Sequence, residues 1–288
     1  MKRILLPIAF PTTAGRVVHQ TAFLARHFNA EVILLHVVTP VSYPAGILER
    51  GHELTERDLH AKVVQHAQKD LDQALQSELD GIAVRRLLLK GDPAREIVQT
   101  ARNEKVDLIA MSTHSHAVLY RFLLGSVAAK VLHNSDCQVW TDTHPEDVRA
   151  HEFAIRKVLC AVDLSDHSRH TVSRAAQMAT QFNAQLTIVH ITTGVKSYGP
   201  GDSHVDPEWE KVLVSYAAKA VAKLQEDVRS NAEVIIDSGN VHNLLQRAAE
   251  QTQSDLLVIG HMPAGGHLGA NGSGYAIIRD SHVPVLST

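Results

Sequence analysis

The amino-acid sequence predicts an α/β protein made of two repeats, each a doubly wound, five-stranded parallel sheet covered by helices. Three observations support this fold class. The chain repeats itself over nearly its whole length, short apolar runs alternate with stretches of helical periodicity, and these apolar runs lack regular polar alternation. Strands that are apolar throughout are buried on both faces, as in a parallel sheet. Alternation of strands and helices implies right-handed crossovers between neighbouring strands.

The internal repeat is visible in ungapped alignment of the early part of each half. The segment "RILLPIAF" at 3–10 aligns with "KVLCAVDL" at 157–164, and "FNAEVILLHVV" aligns at the same offset with "FNAQLTIVHIT". The stretch between the copies has proline and charge but no apolar period, which is typical of a linker. We therefore predict two domains, at 1–142 and 154–288.

The first repeat begins with an apolar, β-rich run at 3–9, which predicts a strand. Residues 14–29 carry apolar side chains at helical spacing, and residues 31–38 form an almost continuous apolar run. Residues 55–79 predict a long polar helix with one apolar face. The remaining predicted elements are a strand, a helix, a strand, a helix and a strand, at 84–89, 93–104, 106–111, about 126–134 and 137–141. The second repeat follows the same order.

Composition narrows the classes of function. The net charge of −3 gives no electrostatic reason to expect nucleic acid or an anionic membrane as a partner. The apolar runs are strand-sized, far below the roughly 20 residues that span a bilayer. The N-terminal segment predicts a strand and not a signal peptide. Two cysteines indicate no disulfide framework, so the expected location is the cytoplasm.

The loops at the carboxyl ends of the strands are the expected place for a ligand, at the point where the strand order reverses. In "VDLSDHS", Asp163 ends a predicted strand, and its carboxylate can accept a hydrogen bond from a ligand. The alternative is that Ser165 or Asp166 simply caps the following helix. The first repeat has Ala9 at the position of Asp163 and cannot make such a contact.

Two glycine-containing segments can bind anions through backbone N–H groups. In "GSVAAKV", Gly125, Ser126 and Val127 open a predicted helix, whose N-terminus attracts anions. A Gly-Ser helix start is also common without any ligand. The segment "GHMPAGGHLGANGSG" at 260–274 has six glycines in fifteen residues. It suits either a phosphate-binding loop or a flexible surface loop.

Both halves resemble the universal stress protein family, and the whole chain resembles its tandem two-domain members. The segments that carry the resemblance are the first strand, "FNAEVILLHVV", "VDLIAMSTH" and "LLGSVAAKVLHNSDCQV". The resemblance implies an adenine nucleotide alpha hydrolase-like, Rossmann-like fold. It also implies that members with a glycine motif bind ATP or a related adenine nucleotide, while members without the motif bind none.

The family motif is a glycine, two residues, a second glycine, nine residues, and a third glycine followed by serine or threonine. In the first repeat it falls on Ser112, Ser115, Gly125 and Ser126, so both early glycines are missing. A serine side chain stands where the backbone should approach phosphate. With Ala9 also lacking a carboxylate, we predict a lapsed nucleotide site in the first repeat.

The second repeat keeps more of the pattern. Asp163 and Gly260 match, while Pro263 replaces the second glycine and also removes an N–H donor. The third glycine and its serine fall either on Gly272-Ser273 or in the register of Ser273-Gly274. The resemblance further implies that the residue ending the second strand, Ile191, contacts the adenosine part. We therefore predict the candidate nucleotide site in this repeat, at Asp163, Ile191, Gly260, Gly272, Ser273 and Gly274.

The histidines and other chemical groups give weaker signals. His114-x-His116 and His167-x-x-His170 offer two ligands each, which do not make a zinc site without further partners. His36 and His190, near the ends of the second strands, are expected to be buried and hydrogen-bonded. No catalytic constellation can be assembled from local motifs, so we predict no enzyme, with at most slow, incidental ATP hydrolysis.

The expected function is a binding and regulatory role in stress survival through an adenine nucleotide. In the resembling family the last strands of two units pair, so the repeats are expected to form an internal pseudo-dimer, with a further homodimer possible. The alternatives are a nucleotide-free protein-interaction module, or a carrier of a metal or a small apolar ligand. The apolar-ligand alternative would use the loops after the second strands, with Tyr43, Ile47, Leu48, Tyr198 and Trp209 as lining.

Overall fold

The computed structural model describes seven stretches of the chain. The chain divides into two compact units, of which the first is mainly Met1–Ser112 with Gly125–Val139 and the second is mainly Glu152–Thr288. Among the described helices, none is long and apolar enough to cross a membrane. The described residues are 1–10, 15–40, 56–113, 125–142, 153–192, 207–260 and 273–288.

The first repeat has the strand order β3-β2-β1-β4-β5. Strand β1 pairs in parallel with both β2 and β4, and β2 pairs in parallel with β3. Its elements are β1 (Arg3–Ile8), α1 (Arg16–Phe28), β2 (Glu31–Val38), α2 (Glu56–Gln73), β3 (Val84–Lys90), α3 (Pro93–Asn103), β4 (Leu108–Ser112), α4 (Ser126–Asn134) and β5 (Gln138–Asp142).

The second repeat has the equivalent order β8-β7-β6-β9-β10, and all of its neighbouring strands pair in parallel. The predicted class, an α/β protein with doubly wound five-stranded sheets, is therefore confirmed. Its elements are β6 (Lys157–Val162), α5 (Ser168–Phe182), β7 (Gln185–Thr192), α6 (Pro207–Val228), β8 (Glu233–Ser238), α7 (Val241–Thr252), β9 (Leu256–Ile259), α8 (Ser273–Asp280) and β10 (Val285–Ser287).

The core of each repeat is the central strands, buried on both faces. Leu34 and Leu35 are adjacent in β2 and point to opposite faces, yet both are fully buried. Leu159 and Cys160 of β6 show the same pattern in the second repeat. Burying one such leucine contributes about 2 kcal/mol relative to leaving it in water. This two-sided burial is why the strands show no polar alternation in the sequence.

The predicted helix at 55–79 is too long at its C-terminus. Helix α2 ends at Gln73, because Leu75 adopts a left-handed backbone conformation with φ of 54°. A residue in that conformation cannot continue a right-handed helix. The apolar period nevertheless persists past the helix, since Leu75 and Leu79 are both buried. The predicted apolar face is therefore buried at Ala67, Leu71 and Leu75, but Val63 on the same face is exposed and the predicted helix end is wrong.

A carboxylate fixes the amino ends of the central strands in each repeat. Asp107, just before β4, accepts hydrogen bonds from the backbone N–H groups of Lys2 and Arg3. Asp255, just before β9, accepts the corresponding bonds from Arg156 and Lys157. These bonds tie β1 to β4 and β6 to β9, the strand pairs between which the chain order reverses. The carboxyl ends of these pairs form the ligand-binding crevice of such sheets.

Candidate functional site

The turn that follows β6 is organised around the carboxylate of Asp163. Oδ1 of Asp163 accepts the backbone N–H of Ser165 at 3.0 Å and the hydroxyl of Ser168 at 2.9 Å. Leu164, between them, adopts a left-handed conformation with φ of 61°. For a leucine this conformation costs about 1–2 kcal/mol. The side chain of Asp163 thus stabilises a strained turn, although Asp163 itself remains exposed to solvent.

The hydrogen bonds also set the charge state of this carboxylate. Partial burial raises the pKa of Asp163, but the hydrogen bonds from Ser165 and Ser168 outweigh that effect, and its pKa lies below the ordinary value. Asp163 is therefore ionised at neutral pH. An exposed, ionised carboxylate at the end of a central strand can accept hydrogen bonds from the hydroxyl or amino groups of a ligand.

The alternative that Ser165 or Asp166 caps the following helix through its side chain is wrong. Helix α5 begins at Ser168, and its N-cap residue is His167, which makes no side-chain capping bond. Ser165 contributes its backbone instead, because its carbonyl accepts the N–H of Ser168. The segment "VDLSDHS" does lie between a strand and a helix, as predicted. Its serines, however, donate hydrogen bonds to the carboxylate of Asp163.

Gly260 directly follows β9. This strand lies next to β6, which ends just before Asp163. The pairing of Ala161 with Ile259 brings the two carboxyl ends level, so Asp163 and Gly260 lie at the same edge of the sheet. A Cβ atom at Gly260 would lie 3.1 Å from Oγ1 of Thr171 on α5. Glycine at this position therefore allows β9 and α5 to approach closely, which is a packing role independent of any ligand.

Thr171 and Thr288 form a polar contact beside Gly260 that sequence reasoning missed. Oγ1 of Thr288 donates to Oγ1 of Thr171 at 3.4 Å, and its backbone N–H donates to the carbonyl of Ile259 at 3.0 Å. Thr171 is buried. No local motif marks this pair, because its members are 117 residues apart in the chain.

His36 and His190 occupy equivalent positions and make the same hydrogen bond. Nδ1 of His36 lies 2.9 Å from the carbonyl oxygen of Ile8, and Nδ1 of His190 lies 2.8 Å from that of Val162. The expectation that both are hydrogen-bonded is confirmed, although His36 is half-buried and only His190 is buried. Each histidine thus ties the second strand of its repeat to the first. Ile191 follows as a half-buried residue near the carboxyl end of β7.

The two helix starts that would face a phosphate are equivalent in position. Helix α4 begins at Ser126 and α8 begins at Ser273. This equivalence favours the Gly272-Ser273 alignment, because Gly274 lies inside the first turn of α8. Gly125 is the N-cap of α4 and has a φ of −58°, which any residue can adopt. Val127, in the first turn of α4, is half-exposed.

Among the described residues, the first repeat has no carboxylate at the position of Asp163. Ser112 ends β4 and is exposed, and Ala9 is exposed after β1. Phe10 packs against His36 instead, with ring centroids 4.5 Å apart. After its first strand, the first repeat therefore has the contact of Phe10 with His36, whereas the second repeat has the turn formed by Asp163.

Several predicted residues lie outside the described residues. These are Gly272, Ser115, Pro263, His114, His116, Tyr43, Ile47, Leu48 and Tyr198. Within the described stretches, which include His167 and His170, no group of three or more histidine, cysteine, aspartate or glutamate side chains is arranged to hold a metal ion.

A pocket of about 210 Å³ lies between α7 and α8 of the second repeat. Its walls include Leu245, Leu257 and Ile277, and two further lining residues, Ser254 and Val283, precede β9 and β10. The pocket therefore lies toward the amino ends of these strands. It is separate from the edge that carries the Asp163 turn.

Comparisons with known proteins agree with the division of the chain into two similar halves. A model of the universal stress protein family matches residues 1–141 and again residues 154–287. A universal stress protein of Methanocaldococcus jannaschii is 32% identical over 145 residues, which cover 50% of this chain and 84% of that protein. The second match within one chain is what a tandem arrangement of two family domains requires.

A solved structure that matches nearly the whole chain has the same fold at lower identity. A universal stress protein from Archaeoglobus fulgidus superposes with a TM-score of 0.70 at 21% identity, covering 99% of this chain and 97% of its own. Another protein from that organism was solved in complex with dAMP. It covers 48% of this chain and 95% of its own, with 21% identity and a TM-score of 0.34.

Proposed function

Because the chain belongs to the universal stress protein family through both of its repeats, we propose that it is a stress-response protein with a binding and regulatory role. We further propose that its second repeat binds ATP or a related adenine nucleotide at the carboxyl ends of β6 and β9. The first repeat, with Ala9 and Ser112 at the corresponding positions, binds no nucleotide in this proposal.

The observation that carries the proposal is the juxtaposition of Asp163 and Gly260. The two residues follow neighbouring strands at the point where the chain order reverses, which is where doubly wound sheets bind ligands. The low pKa of Asp163 keeps its carboxylate charged, so it suits ribose hydroxyl donors. The N-terminus of α8, preceded by glycine, suits phosphate oxygens.

The proposed role is binding without efficient turnover. A hydrolase needs a positioned base or a metal ion to activate water. In this proposal Asp163 only accepts hydrogen bonds from the ligand. ATP incubated with the protein should therefore yield ADP slowly or not at all. Steady release of ADP at several turnovers per minute, abolished by Asp163→Ala, would overturn this part of the proposal.

The test of the ligand begins with protein purified without added nucleotide. The protein is denatured, and the supernatant is examined by mass spectrometry. The protein is then titrated with ATP by calorimetry, up to millimolar ligand. We expect one nucleotide per chain, because the proposal assigns the site to the second repeat alone. Two bound nucleotides per chain would contradict the prediction that the first repeat has lost its nucleotide site. No binding at millimolar ATP would overturn the proposal that the protein binds a nucleotide.

A further inference from the structure

Helix α6 carries a stripe of large apolar side chains on its solvent-exposed face. Trp209 is 61% exposed, Val212 is 41% exposed and Tyr216 is 71% exposed. Their spacing of three and then four residues puts them on one face of the helix. We call these three residues the α6 stripe. Contiguous exposed apolar surface of this kind marks interaction sites, and tryptophan and tyrosine are enriched at the centres of interfaces.

The fold itself does not require apolar residues at two of these three positions, those of Val212 and Tyr216. In the first repeat, α2 is the helix equivalent to α6, and buried alanines at Ala67 and Ala217 mark the matching register. The residue that then corresponds to Val212 is Lys62, His66 corresponds to Tyr216, and Leu59 corresponds to Trp209. Lys62 and His66 are exposed, and His66 pairs with Asp70 on its own helix. The same architecture thus has polar side chains at two positions of one repeat, where the α6 stripe has Val212 and Tyr216.

Charges of opposite sign lie beside the two ends of the stripe. Exposed Glu208 lies before Trp209, and exposed Lys219 lies beyond Tyr216. The two charges are eleven positions apart, so they lie on the same side of the helix and about 16 Å apart along it. Their midpoint falls between Leu213 and Val214. A twofold axis at that point would place Glu208 of each copy opposite Lys219 of the other.

We propose that the α6 stripe is a homodimer interface, in which α6 of one copy packs antiparallel against α6 of a second copy of this chain. With a rise of about 1.5 Å per residue, Trp209 of one copy falls between Tyr216 and Lys219 of the other. Tyr216 falls between Val212 and Trp209. The apolar side chains therefore interdigitate and do not collide, and each end of the pair is closed by an opposite charge. This self-complementarity is what an isologous interface requires.

A single pair of helices buries an area near the lower limit for specific interfaces. We therefore expect a dimer with a dissociation constant on the order of 10 μM. Sedimentation velocity of the full chain between about 1 and 200 μM should show a concentration-dependent shift from monomer to dimer. A monomer at every concentration would overturn the proposal, even if the stripe binds another protein.

The matched variants exchange two residues of the stripe for their polar counterparts in the first repeat. Val212→Lys combined with Tyr216→His should leave the protein monomeric over this range. The control is Lys62→Ala with His66→Ala on α2, which should leave the dimer intact. Because all four positions are exposed, the melting temperature should not change in either variant. A dimer that survives the changes on α6 would show that another surface forms it, which contradicts the proposal.

A charge exchange tests the antiparallel register itself. Glu208→Lys and Lys219→Glu should each weaken dimerisation about tenfold, because each creates two like-charge contacts across the twofold axis. The double variant should recover most of that loss. Failure of the double variant to recover would reject the antiparallel arrangement even if the stripe is needed.

Discussion

The hydroxyl of Ser168 donates a hydrogen bond of 2.9 Å to Oδ1 of Asp163, across the turn that joins β6 to α5. Removing the hydroxyl in Ser168→Ala should therefore lower the free energy of unfolding by about 1 kcal/mol at pH 7. Urea unfolding of the two proteins measures this difference. The same substitution in an Asp163→Ala background should cost much less, since the acceptor is then absent, and equal costs in both backgrounds would count against this bond.

The charge of Asp163 makes part of this stability depend on pH. Its pKa is lowered in the folded protein, so its contribution is present above the pKa of the unfolded state, about 3.9. It is lost as the pH falls through the lower, folded value. The difference in unfolding free energy between the wild type and Asp163→Asn should therefore shrink as the pH falls below about 5 and through the folded pKa. A difference that grows on acidification would contradict the direction of the shift.

The left-handed conformation of Leu164 predicts opposite effects of two substitutions. Glycine adopts this conformation without strain, so Leu164→Gly should be neutral or stabilising by up to about 1 kcal/mol. Leu164→Val should destabilise by about 1–2 kcal/mol, because a β-branched side chain tolerates a positive φ poorly. Thermal unfolding ranks the three proteins. If valine is tolerated better than glycine, Leu164 does not hold the φ of 61° described above.

The close approach between Gly260 and Thr171 predicts a coupled pair. Gly260→Ala places a Cβ 3.1 Å from Oγ1 of Thr171 and should destabilise by about 1–2 kcal/mol. In a Thr171→Ala background the same change should cost less, because the crowded atom has been removed. In a Thr171→Val background it should cost about as much as in the wild type. Strict additivity with Thr171→Ala would show that the two residues do not meet.

Two buried serines in the second repeat should respond to alanine with opposite signs. Among the described residues, Oγ of buried Ser287 has no hydrogen-bond partner. Oγ of Ser281, also buried, donates to the carbonyl of Val283 at 2.6 Å. Ser287→Ala should stabilise by about 1 kcal/mol, and Ser281→Ala should destabilise by a similar amount. Denaturant unfolding compares them, and a loss of stability in both would mean that Ser287 has a partner.

Most of the fold could be predicted because the strands are buried on both faces and the chain presents each unit twice. Element positions followed from apolar runs and helical periodicity, since burial is what these patterns record. The end of α2 could not be predicted, because the left-handed conformation of Leu75 follows from tertiary packing and leucine gives no local signal for it. Because the strands of both repeats are buried on both faces, their apolar runs could be located in the sequence.

The candidate site was predictable only in part. Asp163 and Gly260 could be placed at one edge of a sheet because both follow strands. Their partners Ser168 and Thr171 could not be identified, since the direction of a hydroxyl depends on where α5 begins, and α5 begins later than the capping residues suggested. The contact of Thr171 with Thr288 depends on the fold of the whole repeat and has no local pattern.

The central claim, that the second repeat binds an adenine nucleotide through Asp163, is tested most directly by calorimetry of ATP binding to two matched variants. Asp163→Asn keeps an oxygen that can accept the bonds of the turn but removes the charge, and Asp166→Asn removes an equal charge three residues away. We expect one site per chain in the wild type, at least tenfold weaker binding in Asp163→Asn, and unchanged binding in Asp166→Asn. Equal affinities in all three proteins, or no binding in any, would contradict this account.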